Sequence, residues 1–405
     1  MSGAVAAHAA YNGSGTQGLA VTNKIGGNDG DVMSVFWNKN DTTRQLLHGS
    51  SIIEIPTSGN GNSTSTSQIF AVNNDIDAIG DLYLQITSTA NNVGRKPIVL
   101  VTDYIRRIEF QVGTQIWQTL ETYDILALAS TEMSPASYEH FSFNTSGGVL
   151  TSGVLAAIPY TSGITAGTTT TNYMGLVKIP CLSRTIGASL KKFSDATEQA
   201  YLLAGAPHQA VKIKVTLVSS TTQTATLKLF GQHIIMCNEE RDQIKNMPMG
   251  LPKRIKMTQN VTLALPSSTT STEVNLDSFS LYASHFVIQL FETVSTINLS
   301  TVELKLNSSS YSGEIQGTML TGSVADSMGL YFNQFYLSGN NVGSHLYIFP
   351  LASSAYGGSS VPLNRFDNIR LLLNFSAGFT GSVYVTCVGE TTALYKGGAA
   401  SLAMY

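Results

Sequence analysis

The chain has 405 residues, 43% of them hydrophobic and only 12% charged, which is long enough for two or three domains and too apolar for sustained disorder. A net charge of −3, with no basic grouping denser than Lys253, Arg254 and Lys256, argues against direct nucleic-acid binding. Three distant cysteines (Cys181, Cys237 and Cys387) imply no disulfide framework and fit a reduced compartment, no run has the length of a membrane span, and the start lacks the basic-then-apolar pattern of a secretory signal.

In chain order, residues 1–35 read as a flexible N-terminal arm of small and turn-forming residues. Strand signals then take over. "SIIEI" (51–55) precedes a turn-rich stretch. "DLYLQIT" (81–87) places Leu82, Leu84 and Ile86 on one face, and "YIRRIEFQVGTQIW" (104–117) sets Ile108, Phe110 and Val112 against Glu109 and Gln111. This period of two marks a sheet with one buried face. "QTLETYDILALAS" (118–130) has apolar residues at helical spacing and no Gly or Pro, and predicts a helix. Residues 145–175 are a long Gly/Ser/Thr excursion. "HQAVKIKVTLV" (208–218) and "ATLKLFGQHIIM" (225–236) return to strand pattern.

The second half repeats this grammar. Strands are predicted at 260–266, 285–291, 300–307, 344–351, 368–375 and 381–389. The stretch "VPLNRFDN" (361–368) carries Pro362, Asn364, Asp367 and Asn368, turn residues that deliver Ile369, Leu371 and Leu373 into a sheet, with Arg365 placed to pair or cap with Asp367. "RIEFQVGTQ" (107–115) echoes "TVELKLNSS" (301–309), and "HQAVKIKVTL" echoes "FDNIRLLLNF", in the same order. The halves therefore read as duplicated domains. Many short strands with Gly/Asn/Ser turns predict sandwiches rather than strand–helix alternation. The expected division is an arm at 1–35, a first domain at 36–212, a second at 213–397 and a tail at 398–405.

Catalytic and metal motifs are missing: no HExxH, CxxC, Walker A or GxSxG pattern occurs, and no cofactor is expected. "GNDGD" (27–31) and "NNDID" (73–77) hold oxygen ligands without the spacing of an EF-hand, and read more simply as Asx turns. Three classes of function remain open: a structural shell subunit, a glycan- or receptor-binding sandwich, or a sandwich glycosidase. The second would need an aromatic platform, for which Trp37 and Trp117 are the candidates. The third would need two carboxylates on one cleft, and Glu109 and Glu303 read instead as equivalent positions of a duplication.

Three segments carry a family resemblance. "AIGDLYLQIT" followed by "DYIRRIEFQVGTQIWQTLETYDI" (103–125), "GQHIIMCNEERDQIK" (231–245) and "SVPLNRFDNIRLLLNF" (360–375) together resemble the double jelly-roll major capsid proteins of large double-stranded DNA viruses. Asp103, Ile108, Glu109, Val112, Gly113 and Asp124 fall on the first pattern, Glu240 and Arg241 on the second, and Pro362, Asn364, Arg365, Phe366, Asp367 and Asn368 on the third. The first-half counterpart of the last segment is the altered "AGAPHQA" (204–210). The resemblance implies an all-β fold of two consecutive eight-stranded jelly rolls with short helices in connecting loops. It implies a homotrimer of pseudo-hexagonal outline, made in the host cytoplasm, that tiles an icosahedral shell beside neighbouring capsomers and minor capsid or penton proteins. The arm would then face inward, toward minor proteins or an internal membrane, and no catalysis is implied.

Overall fold

The computed structural model describes residues 48–57, 67–73, 76–88, 105–132, 173–179, 201–218, 225–236, 238–246, 251–292, 299–332, 344–353, 355 and 360–403. The arm at 1–35, Trp37, Asp103 and nearly all of the 145–175 excursion lie outside them.

The first part contains β1 (His48–Ile55), β2 (Ser67–Ala71), β3 (Ala78–Ser88), β4 (Ile105–Val112), β5 (Gln115–Glu121), helix α1 (Thr122–Glu132), β6 (Tyr173–Ile179), β7 (Tyr201–Leu202), β8 (Val211–Leu217) and β9 (Ala225–Met236). Helix α2 (Asn238–Asn246) leads to β10 (Leu251–Asn275), β11 (Tyr282–Glu292), β12 (Leu299–Leu306), β13 (Ser309–Ser310), β14 (Ile315–Gln316), helix α3 (Gly322–Met328), β15 (Ser344–Pro350), β16 (Val361–Pro362), β17 (Ile369–Lys396) and β18 (Ala399–Ala403).

Strands β1 to β9 form two antiparallel sheets. The larger runs β1-β9-β3-β6, with β7 beside β3, and the smaller runs β2-β8-β4-β5. Alternation decides which side of each strand is buried. Val211, Ile213, Val215 and Leu217 of β8 point inward while Lys212 is exposed. Leu82, Leu84, Leu227 and Leu229 of the larger sheet share one core with Phe70, Phe110, Ile213 and Val215 of the smaller. Each such side chain contributes roughly 1.5–3 kcal/mol by leaving water.

The second part reaches the same strand order through two very long strands. The 25 residues of β10 and the 28 of β17 pair antiparallel over nearly their whole length, with register shifts between Leu265 and Ser271. There the pair bends: Ser268 has φ 63°, and a Cβ on Gly378 would lie 2.9 Å from the Ser268 Cα, so only glycine permits the approach. Beyond the bend the carboxyl half of β17 is flanked by β11 and then β15, whereas its amino half is flanked by β12 and then β13 or β14. The orders β10-β17-β11-β15 and β10-β17-β12-β13 thus repeat β1-β9-β3-β6 and β2-β8-β4-β5, with β10 standing for both β1 and β2 and β17 for both β8 and β9. The architecture is mostly β, with jelly-roll-like strand order in each part.

The repeat holds residue by residue. Val112 faces Val211 as Leu306 faces Ile369, so Glu109 and Glu303 occupy equivalent positions. The next backbone N–H in each hairpin, Gly113 or Asn307, donates to the carbonyl of Ala210 or Asn368 at 2.8 Å. Both residues have positive φ, 60° and 50°. The two-residue strands β7 and β16 pair with the starts of β3 and β11 in the same way. The echo between 107–115 and 301–309 therefore reflects a shared register.

Four expectations are corrected. The helix begins at Thr122 rather than at 118, because Gln118 and Leu120 are already paired with Phe110 and Ile108 in β5. Residues 368–375 and 381–389 belong to the single strand β17, since β10 follows it around the bend and keeps its backbone bonded. The boundary at 212/213 falls inside β8, and both β8 and β9 complete sheets of the first part. Residues 399–403, expected in a tail, form β18 against β17.

Candidate functional site

The most elaborate polar arrangement among the described residues is the seam where α1 lies on the sheet β10-β17-β11. Strand register prepares it. Asn260 faces Thr386, Thr258 faces Val388 and Lys256 faces Glu390, and these pairs, two residues apart, share one side of the sheet. Asp124, Leu128 and Glu132 of α1, four residues apart, share one face of the helix. Eight helical residues rise about 12 Å, and four strand residues span about 13 Å, so both ends of the helix meet the strand in register. At one end Asp124 meets Asn260 and Thr386, and at the other Glu132 pairs with Lys256.

Asp124 is 1% exposed and accepts three bonds: the Glu121 N–H at 2.9 Å, the Thr386 hydroxyl at 2.8 Å and the Asn260 side-chain amide. Burial pushes its carboxyl up to about 6 against the pull of these donors. Next to it the Tyr123 ring packs, tilted, against those of Tyr384 and Phe291, at centroid distances of 3.8 and 4.7 Å, and its carbonyl accepts from the Gln289 amide at 3.3 Å. The Tyr331 N–H donates to the Thr131 carbonyl at 2.8 Å. A second contact zone joins Tyr201 to Tyr395, with centroids 5.7 Å apart, and Ala400 N–H to Gln209 Oε1 at 2.7 Å. The two parts thus share a core that includes Val287, Val388 and Ala393 alongside the first part's own side chains.

The seam also holds a buried histidine. The Ser284 hydroxyl bonds the Val388 carbonyl at 3.0 Å and lies 2.8 Å from His285 Nδ1. Burial first, then the Lys256 charge, push His285 down to about 3. An unfolded histidine protonates below about 6.5, so this group stabilises the fold fully above that pH and loses its contribution as pH falls toward 3. Asp124 has the opposite sign, since its raised value adds stability as pH falls from about 6 toward 3.8. Comparing variant with parent isolates the histidine. His285→Gln should recover about 2–3 kcal/mol relative to the parent between pH 7.5 and pH 4.5, measured by denaturant melts at both values. An unchanged difference between the two proteins would contradict the buried neutral imidazole.

The other sequence-predicted residues are placed in three groups. Ile108 and Val112 are core residues of β4. Glu109 is buried under Arg107 at 2.9 Å, Lys214 at 3.6 Å and the Gln111 amide at 2.9 Å, and Gly113 makes the hairpin turn. Glu240 and Arg241 lie in α2. Pro362 is in β16, while Asn364 and Arg365 are exposed in a 3-10 turn (Leu363–Arg365) anchored by the buried Leu363. Phe366 donates its N–H to the Leu363 carbonyl at 3.1 Å, and Asp367 and Asn368 donate theirs to Asn307 Oδ1 at 3.0 and 3.3 Å. The turn is therefore held by the neighbouring hairpin and not by an Arg365–Asp367 pair. Asn307→Ala, which removes both acceptor bonds at a residue with φ 50°, should cost about 1–2 kcal/mol in a denaturant titration.

Asp77 is the residue that sequence reasoning missed. Within "NNDID" it reads only as one oxygen ligand among several. In the structure it accepts from Arg241 Nε at 2.6 Å, Arg241 Nη2 at 2.8 Å and the Met236 N–H at 2.8 Å, clamping the start of α2 to the end of β9. Trp117 is 1% exposed, with its ring edge-on to Tyr201 at 5.2 Å, and offers no platform to a glycan. Among the described residues no group of three or more His, Cys, Asp or Glu side chains converges to hold a metal.

No known protein family profile matches the chain, and no curated protein matches it. Solved structures do match. A chain of the PBCV-1 virus capsid aligns at 13% identity and a TM-score of 0.65, covering 89% of this chain and 98% of its own. The Faustovirus major capsid protein aligns at 8% identity and 0.54, covering 85% and 90%. A chain of the Sputnik virophage aligns at 10% identity and 0.52, covering 88% and 88%. The jelly-roll-like fold described above is thus one found in viral capsid chains, and the likeness extends over both parts of the chain.

Proposed function

We propose that this chain is the structural subunit of an icosahedral viral capsid and acts as a homotrimer. Its two parts are taken as consecutive eight-stranded jelly rolls, the first ending at α2 and the second ending with β18. The observation that carries the reading is the double strand order together with the seam that joins its halves. Two like units in one chain give a three-fold assembly six similar walls, and hence a nearly hexagonal block that can tile a surface. The sequence-matched positions then serve architecture. Glu109, Gly113 and the 362–368 turn shape hairpins and strand entries, while Asp124 and Arg241 fix the halves to each other and to their connector.

Neighbouring capsomers are the lateral partners, and minor capsid or penton proteins fill the remaining contacts. The arm at 1–35 faces inward, toward those proteins or a membrane. Synthesis takes place in the host cytoplasm. Electron-microscopy class averages of the purified protein test the reading. Six-lobed, nearly hexagonal particles are expected, and two-lobed single chains at all concentrations would contradict it.

A further inference from the structure

The far end of the seam brings together groups suited to a covalent step. Glu132 ends α1 and contacts Lys256 of β10, with side chains 2% and 11% exposed. Glu390 stands opposite Lys256 in the strand register, and its charge acts on the amine. His285, buried on β11, lies within the field of Lys256. A pair of opposite charges withdrawn from water contributes little to stability. A neutral amine beside a neutral carboxylic acid suits such a site better. Burial pushes Lys256 down to about 7, so much of it is uncharged near neutrality. Glu132 sits at the negative end of the α1 dipole, in contact with the Lys256 amine.

We propose that Lys256 and Glu132 condense to an isopeptide bond that ties the two β parts covalently across the seam. The Nζ lone pair attacks Cδ of the protonated Glu132 carboxyl, forming the Nζ–Cδ bond. The Glu390 carboxylate takes a proton from Nζ and passes it to the hydroxyl on Cδ. The Cδ–O bond then breaks, its electron pair leaves on that oxygen, and one water is released. No oxidant, nucleotide or cofactor is needed. Two groups held in contact on a strand and a helix react at an effective concentration on the order of 10⁵ M. The dry surroundings withhold the water that would reverse the step. His285, kept neutral by burial, places no cation beside the amine. The product replaces two buried ionisable groups with one neutral amide.

The proposal concerns single chains and does not depend on the capsid reading. Intact-mass measurement on the purified, fully denatured protein tests it. The parent should weigh one water less than its sequence, and proteolytic mapping should recover a branched peptide joining Glu132 to Lys256. Lys256→Met and Glu390→Gln should both restore the full sequence mass. Because the mass is read on denatured chain, poor folding of a variant leaves the parent result decisive. A parent at full sequence mass, with both residues recovered in linear peptides, would overturn the proposal and leave an ordinary ion pair. A water lost elsewhere, such as a succinimide at an aspartate, would overturn it too. Retention of the branched peptide in Glu390→Gln would remove Glu390 as the proton carrier.

Discussion

Asp124→Ala is expected to destabilise the folded chain by about 3–5 kcal/mol, the largest effect expected of any single polar substitution in the seam. The change leaves the Glu121 N–H, the Asn260 amide and the Thr386 hydroxyl in a dry seam without their common acceptor. Each stranded donor costs about 1–3 kcal/mol, and the cavity adds to that. Asp124→Asn should cost far less, about 1 kcal/mol. The amide oxygen still accepts from Glu121 and Asn260, and the Thr386 hydroxyl can turn to accept from the new NH₂. Equilibrium denaturant unfolding distinguishes these outcomes. Equal losses in the two variants would mean that the negative charge, and not the set of acceptor bonds, holds the seam.

Asp77→Ala should cost about 2–4 kcal/mol, through a different region of the chain. Its carboxylate is almost buried and joins the end of β9 to α2 through a forked pair with Arg241. Arg241 retains contact with water, so its loss of a partner is milder than a fully buried break. The Met236 N–H, buried and left without its acceptor, bears most of the cost. Arg241→Met should be less severe than Asp77→Ala, since it keeps the aliphatic stem and leaves Asp77 its bond to Met236. Thermal melts of the two variants, read together, check that order.

Much of the fold is legible in the sequence because its signal is local. The alternation Ile108, Phe110, Val112 against Glu109 and Gln111 survives as the buried and covered faces of β4. The faint echo of 107–115 in 301–309 proves to be a common register because both hairpins turn at a positive-φ residue bonded to the residue that leads into the neighbouring strand, β8 or β17. The union of 368–375 with 381–389 is not legible. The intervening "SAGFTG" reads as a loop, and only pairing with β10 keeps it extended. The seam is less legible still. Asp124 lies 136 and 262 residues from Asn260 and Thr386, and no spacing rule reaches that far. The acidic–basic pair at Glu240 and Arg241 marks the connector, yet the true partner of Arg241 is Asp77, 164 residues earlier.

The central claim is that two jelly-roll-like halves in one chain serve a three-fold assembly. Light scattering of the purified protein across a concentration series tests it most directly. The account predicts a stable species near three times 43.2 kDa that persists on dilution. A species of 43.2 kDa at every concentration would contradict it.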